Sequence, residues 1–338
     1  MKLFQRIRST GFQLKTLFAC SIALAGLSNL VAASEPQIKL NTLGYKPSCG
    51  IEVTQKESLI YVVWPMESGR QGRLTFDLDP KHPLIHRAEV SAKPTADFQQ
   101  IGEALHPVLQ VRVGTRDLEK RAGWTIFIDR MQNKPSELFH ANLDRKRASV
   151  TSQARRVTLT IGGLSAGPFQ GNLRWTFYAG NSFVLQEAVM KTPRKSTAFL
   201  YDFGLVCQGT QPIKLAWQDP FGQFKSQKSD QIQAPKHLAV GGRAITAGFA
   251  GGSIGAFPPP HRYFYPLDFS DNLGNIWLGP NYNQQPSAFG FGIRHDPTGD
   301  NRYVPWFNAP PHTEQEMGLF LLFSAGSTDS VLEEIGRL

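Results

Sequence analysis

The sequence predicts an all-β fold, a large antiparallel β-sandwich with few short helices, and three observations predict it. Residues 156–161 alternate Arg, Val, Thr, Leu, Thr, Ile, so that Val157, Leu159 and Ile161 share one face. Residues 172–177 repeat the pattern with Leu173, Trp175 and Phe177. Gly, Pro, Asn and Asp punctuate the gaps between such runs, which suits turns joining strands rather than βαβ units.

In chain order, strands are expected at 58–64, 73–78, 108–113, 124–129, 157–161, 172–178, 183–190, 199–206, 244–249, 289–294 and 317–323. A helix is expected at 328–337, capped by Ser327 or Asp329, and a second candidate helix lies at 96–105. The run from Gly162 to Phe169 looks like a phosphate loop. It lacks GxxxxGK[ST] and no helix follows it, so it reads as a wide hairpin loop. The chain divides into an N-terminal signal (1–33), an N-terminal β region (34–147), a main sandwich (148–327) and a C-terminal helix (328–338).

The signal is read from order and composition. Lys2, Arg6, Arg8 and Lys15 precede the apolar run 17–33, which ends in the small residues Ala32 and Ala33. The run is short of the roughly 20 residues a membrane span needs, so cleavage and a periplasmic or secreted product are expected, with no membrane span left after signal removal. The whole chain carries 36 Lys+Arg and 27 Asp+Glu. Removing the four signal cations leaves 32 − 27 = +5, a surplus too small and scattered for a nucleic-acid binder. The densest basic run, Arg145, Lys146, Arg147, Arg155 and Arg156, reads as solvated strand ends and a turn, with attraction to acidic polysaccharide as the alternative. An oxidising compartment would let Cys49 and Cys207 pair; their separation leaves the question open. There is no CxxC pair and no HExxH.

Chemistry concentrates in residues 255–316, where aromatics and prolines surround His261, His295, His312, Arg262 and Arg294. Flat aromatic faces beside groups that donate and accept hydrogen bonds suit a polar ring, so carbohydrate or polysaccharide is the expected partner. The candidate substrate-binding residues are His261, Arg262, Arg294, Trp306, Asn308, His312 and Glu314. Trp306 is expected on a presented loop, and Trp64 in the core. His312 and Glu314 could work as an acid/base pair or cap the last strand. No metal and no cofactor are expected. Glu187 and Asp202 sit within apolar strands and must be paired or open onto a cleft; Arg174 is the natural partner of Glu187 across the hairpin.

The strand pair GNLRWTFYAGNSFVLQEAVM (171–190) resembles the hairpin and long strand of the super-sandwich domains of mutarotase-like and polysaccharide-lyase-like proteins. The stretches GGLSAGPFQGNLRWTFYAG, FPPPHRYFYPLDFSDNLGNIW and RYVPWFNAPPHTEQEMGLFLL resemble a group of secreted bacterial proteins in which such a β region precedes a PHP-like hydrolase region. The resemblance covers roughly 145–335. It implies the fold and a carbohydrate ligand, and it carries over no catalytic residue. No PHP-type histidine/aspartate motif is present, so hydrolase chemistry would belong to a missing C-terminal catalytic domain or partner. The expected function is an exported carbohydrate-recognition sandwich, accessory and non-catalytic. The alternatives are a carbohydrate-active epimerase or lyase, and a structural envelope protein.

Overall fold

The computed structural model describes residues 38–91, 93, 97–126, 128–130, 134–259, 275–282, 288–295 and 303–338. The expected signal at 1–33 lies outside them. Two large sheets pack face to face, and the chain is about 62% strand and 7% helix, the all-β sandwich that the alternating runs require. Residues Gln37–Leu338 form one compact unit.

The first sheet runs in the order Leu40–Gly44, Asn142–Gln153, Arg156–Ala166, Phe169–Tyr178, Phe183–Lys191, Gln315–Ser324, Gly252–Phe257, Gly241–Phe249, Lys214–Gln218, Phe224–Lys228. Leu40–Gly44 pairs in parallel with its neighbour, and the other pairings in this sheet are antiparallel. The second sheet runs Lys236–Leu238, Ile276–Pro280, Phe289–Arg294, Thr197–Cys207, Gln99–Asp117, Ile85–Ser91, Gln71–Asp77, Leu59–Pro65, Glu52–Lys56. Strands from both sides of residue 148 therefore occur in both sheets.

The core forms where the alternating faces meet. Val157, Leu159, Ile161, Trp175 and Phe177 point inward from the first sheet and are fully buried. Trp64 and Phe76 meet them from the second: Trp64 lies 5.1 Å from Phe177, and Phe76 lies 5.1 Å from Trp175, centroid to centroid. Burying a side chain of this size stabilises the fold by roughly 2–3 kcal/mol. Trp64 is core, as its place on an apolar strand predicts.

Four sequence expectations change. The 96–105 segment is not a helix; it opens the long strand Gln99–Asp117, whose Ile101, Leu105, Leu109, Val111 and Val113 are buried at strand spacing. Pairing with Ile85–Ser91 and Thr197–Cys207 overrides local helix propensity. Among the described residues of the 124–129 segment only those in Ile128–Arg130 are extended, and Trp124 enters the core behind Gly123, whose φ of 76° turns the chain there. The wide loop at 162–169 is instead a tight two-residue turn, because Arg156–Ala166 runs to Ala166 and pairs it with Phe169. A bulge between Gly162 and Leu164, with Gly163 at φ 95°, takes up the glycines. Finally, Arg145 is not solvated. It is 2% exposed, and its guanidinium donates to the carbonyls of Asp77 (2.9 Å), His82 (2.7 Å) and Asp79, tying the two sheets together.

The C-terminal helix is Thr328–Ile335, and Ser327 caps it by accepting from the Ser330 N–H at 3.3 Å. Val331, Leu332 and Ile335 dock on Phe257, Phe320 and Leu322 of the first sheet. Cys49 and Cys207 are both free and buried, and burial pushes the Cys207 thiol up to about 12. Among the described residues no helix is long and apolar enough to cross a membrane.

Candidate functional site

The outer face of the first sheet is divided by the helix. Over the half built from Gly252–Phe257, Gly241–Phe249, Lys214–Gln218 and the far end of Gln315–Ser324, the outward Ala216, Ala244, Phe257, Phe320 and Leu322 pack with Val331, Leu332 and Ile335 of the helix, which seals them. Over Asn142–Gln153, Arg156–Ala166 and Phe169–Tyr178 the outward residues are mostly polar, and Phe183–Lys191 adds Glu187 and Lys191 beside Leu185 and Val189. The alternation that sends Val157, Leu159 and Ile161 inward sends Arg156, Thr158 and Thr160 outward.

Register then assembles a polar lattice. Thr151, Thr158, Thr176 and Leu185 form one row across four strands, and Thr160, Arg174 and Glu187 belong to the next. With Gln153, Arg156 and Tyr178 they line a groove of about 480 Å³. Thr158 and Thr176 share a hydroxyl–hydroxyl hydrogen bond of 3.2 Å. Arg174 occupies the centre. Its Nε donates to Glu187 Oε2 at 3.0 Å, and its Nη2 reaches Glu187 Oε2 at 2.9 Å and Glu316 Oε1 at 2.5 Å. The pairing of Glu187 with Arg174 is the one expected from the sequence. The Glu187 side chain is 2% exposed, that of Arg174 29% and that of Glu316 40%, so the triad grades from interior to solvent. Burial works against the charged guanidinium, but the Glu316 hydrogen bond and the field of Glu187 outweigh it and raise the Arg174 pKa.

A second groove, of about 520 Å³, lies on the same strands beyond this one. Asp144, Lys146, Arg147, Asn172, Lys191 and Glu314 are among its walls. Lys146 pairs with Asp144 at 2.9 Å, and Arg147 donates to the Asn172 amide oxygen at 3.1 Å.

The second sheet holds a different polar cluster, fully enclosed. Asp202 faces Arg294 across neighbouring strands, with Arg294 Nε 3.5 Å from Asp202 Oδ2. The same carboxylate accepts from the Tyr282 hydroxyl at 2.7 Å and from the His295 backbone N–H at 3.1 Å. The His295 ring Nδ1 donates to the Tyr201 carbonyl at 2.8 Å. Burial first, then the positive charges of Arg243 and Arg294, push the imidazole down to about 3 against the raising effect of that carbonyl, so it is neutral. The Tyr201 hydroxyl crosses to the first sheet. It donates to the Gly318 carbonyl at 3.0 Å and accepts from the Gly318 N–H at 3.1 Å, beside Glu187 in register.

The structure scatters the residues expected to form one binding edge. His261 and Arg262 lie outside the described residues. Arg294 is 3% exposed and belongs to the enclosed cluster. Trp306 is not on a presented loop. It is 1% exposed and stacks on Trp124, with centroids 3.5 Å apart and planes 18° apart. Gly114 leaves the space for that stack: a Cβ there would fall 1.3 Å from the Trp124 ring. Asn308 is exposed on the short strand Phe307–Ala309, which pairs with Thr197–Cys207. His312 is exposed in a turn at φ 62°, its N–H bonded to the Thr192 carbonyl at 2.7 Å. Glu314 is also exposed and reaches the second groove. Among the described residues no hydrogen bond joins His312 to Glu314, and no three His, Cys, Asp or Glu side chains gather to hold a metal.

The sequence reading does not name the outward threonines and Arg156, because the apolar half of the alternation defines the strand and the polar half is common to any solvated face. The signal was present: a strand whose polar positions repeat Thr rather than Lys or Glu.

Comparison with family models returns no match, and none of the curated proteins matches. Among solved structures, the chain is similar to a galactose mutarotase related enzyme from Lactobacillus acidophilus. The TM-score is 0.37 and the identity 9%, covering 78% of this chain and 97% of that one. It is also similar to an alpha-mannosidase from Enterococcus faecalis V583, with TM-score 0.35 and 9% identity over 83% of this chain and 30% of that one. A glycosyl hydrolase family 38 protein from Enterococcus faecalis gives TM-score 0.33 and 10% identity over 83% and 31%. The chain thus spans about a third of the length of the two Enterococcus proteins. At these TM-scores the likenesses carry no argument about residues, ligand or reaction.

Proposed function

We propose that the open half of the first sheet is a carbohydrate-recognition face and that the protein acts as an exported, non-catalytic sugar-binding sandwich. The observation that carries this reading is the Arg174 triad set in a lattice of threonines. Each hydroxyl both donates and accepts, as a sugar hydroxyl does, and the lattice repeats at strand spacing. Tyr178 supplies an aromatic edge for the apolar CH faces of a sugar. The Glu187 side chain is 2% exposed and held by two nitrogens of Arg174, so its carboxylate is engaged inside the protein and is not presented to a ligand. That favours binding over catalysis.

The test is a glycan array on the full chain, followed by calorimetry with the best hit. Arg174→Gln is expected to lower affinity about tenfold, the worth of one good charge-assisted contact, with the fold intact by circular dichroism. Absence of any glycan binding, or binding indifferent to this change, would overturn the reading.

A further inference from the structure

The two grooves of the outer face are one track. The row after Thr160, Arg174 and Glu187 contains Arg147, Asn172 and Val189, in register through Gly162. Beyond it come Ser165, Gln170 and Lys191. These residues line the second groove, so polar surface continues along the Phe169–Tyr178 strand from Tyr178 to Gln170. At roughly 3.3 Å per residue the eight steps span about 26 Å, room for several linked sugars rather than one.

The charges along the track do not cancel. Lys146 is taken by Asp144, and Arg174 by Glu187 and Glu316. Arg156 donates to the Gln153 side chain and Arg147 to that of Asn172, both neutral. Among the described residues Arg156, Arg147 and Lys191 have no carboxylate partner, against one such carboxylate, Glu314. Arg156 lies at the Tyr178 end, while Arg147 and Lys191 lie at the other. The track thus presents unpaired cations at both ends and, between them, a hydroxyl lattice around Arg174, whose two carboxylates leave that centre with a net charge of +1 − 2 = −1. The wall residues include one aromatic, Tyr178, too few to stack successive nucleic-acid bases.

We infer that this face binds an extended, carboxylate-bearing polysaccharide, with uronate groups meeting Arg156 at one end and Arg147 and Lys191 at the other. The inference rests on the carbohydrate reading above and adds chain length and charge to it. Calorimetry on the full chain would use hexagalacturonate, digalacturonate and the neutral maltohexaose. The hexamer is expected to bind at least about tenfold tighter than the dimer and to weaken as salt rises. The double variant Arg147→Gln, Lys191→Gln removes two exposed charges and is expected to cost the hexamer about tenfold, with melting unchanged. Equal affinity for dimer and hexamer, or a double variant that binds as well as wild type, would overturn the inference. Preference for maltohexaose, lost in Arg174→Gln, would overturn it while leaving carbohydrate recognition standing. Failure of all three probes, together with a blank glycan array, would remove both.

Discussion

Arg174 and Glu187 face each other across neighbouring strands of the first sheet, and Arg294 and Asp202 do the same in the second. Arg174 is partly open to water, its side chain 29% exposed. Arg294 and Asp202 are 4% and 3% exposed. The open pair leaves room for a ligand to exchange with solvent beside the guanidinium. The enclosed pair has to offset its own desolvation, and Asp202 does so by collecting the Tyr282 hydroxyl and the His295 N–H as well. The same cross-strand pairing therefore makes a half-open polar centre on one sheet, the one proposed for recognition, and an enclosed clasp on the other. Burial decides which.

The largest expected effect breaks the clasp. Arg294→Met removes the cation paired with buried Asp202 and should cost about 3–5 kcal/mol in urea unfolding. A loss under about 1 kcal/mol would mean that the pair is not the enclosed element described here.

The next tests the neutral imidazole beside it. His295 is pushed down to about 3, and burial, with a contribution from Arg145, pushes His106 down to about 4, from an ordinary 6.5. Between those values the unfolded chain binds the protons that the fold refuses. The stability these two groups contribute is therefore whole above pH 6.5 and lost as the pH falls. His295→Gln should flatten this decline by about 1.4 kcal/mol per pH unit between pH 6 and 4, measured by denaturant titration across pH. An unchanged slope would place the imidazole in contact with water.

Arg174→Gln sharpens the contrast from the other side. Glu187 is itself 2% exposed, but the glutamine amide can still donate to it and water reaches Arg174, so the loss should be about 2 kcal/mol, below that of Arg294→Met, while glycan affinity falls about tenfold. A stability loss as large as that of Arg294→Met would make Arg174 a clasp too.

The contrast also explains what the sequence disclosed. Strands with one wet face were legible, because alternation at 156–161 and 172–177 encodes both the buried row and the outward row. The Glu187–Arg174 pair followed from hairpin spacing alone. Trp306 was not legible: prolines around an aromatic look alike whether it faces solvent or, as here, stacks on a tryptophan 182 positions away. Arg145 failed for a similar reason. In a run of basic residues, nothing local says that one of them turns inward to the carbonyls of Asp77 and His82. The groove itself is a product of register across four strands, which no single segment contains.

The smallest effects separate two threonines on the same outer face. Thr246 lies between Ala216 and Gly255 in the half sealed by the helix. It is fully buried, and among the described residues its hydroxyl has no hydrogen-bond partner. Thr160 lies in the open half, beside Arg174. Valine matches threonine in shape and in preference for strands, so each substitution removes little but a hydroxyl. Thr246→Val removes a buried polar group that gains nothing from the fold and should raise stability by about 1 kcal/mol, with glycan affinity unchanged. Thr160→Val should leave stability within about 0.5 kcal/mol and weaken glycan binding roughly threefold, the worth of one neutral hydrogen bond. Thermal melts and calorimetry on the two variants give both numbers for each. If Thr160→Val changed stability and spared affinity, the open half would be structural surface, and the helix would no longer mark the boundary between a sealed face and a binding one.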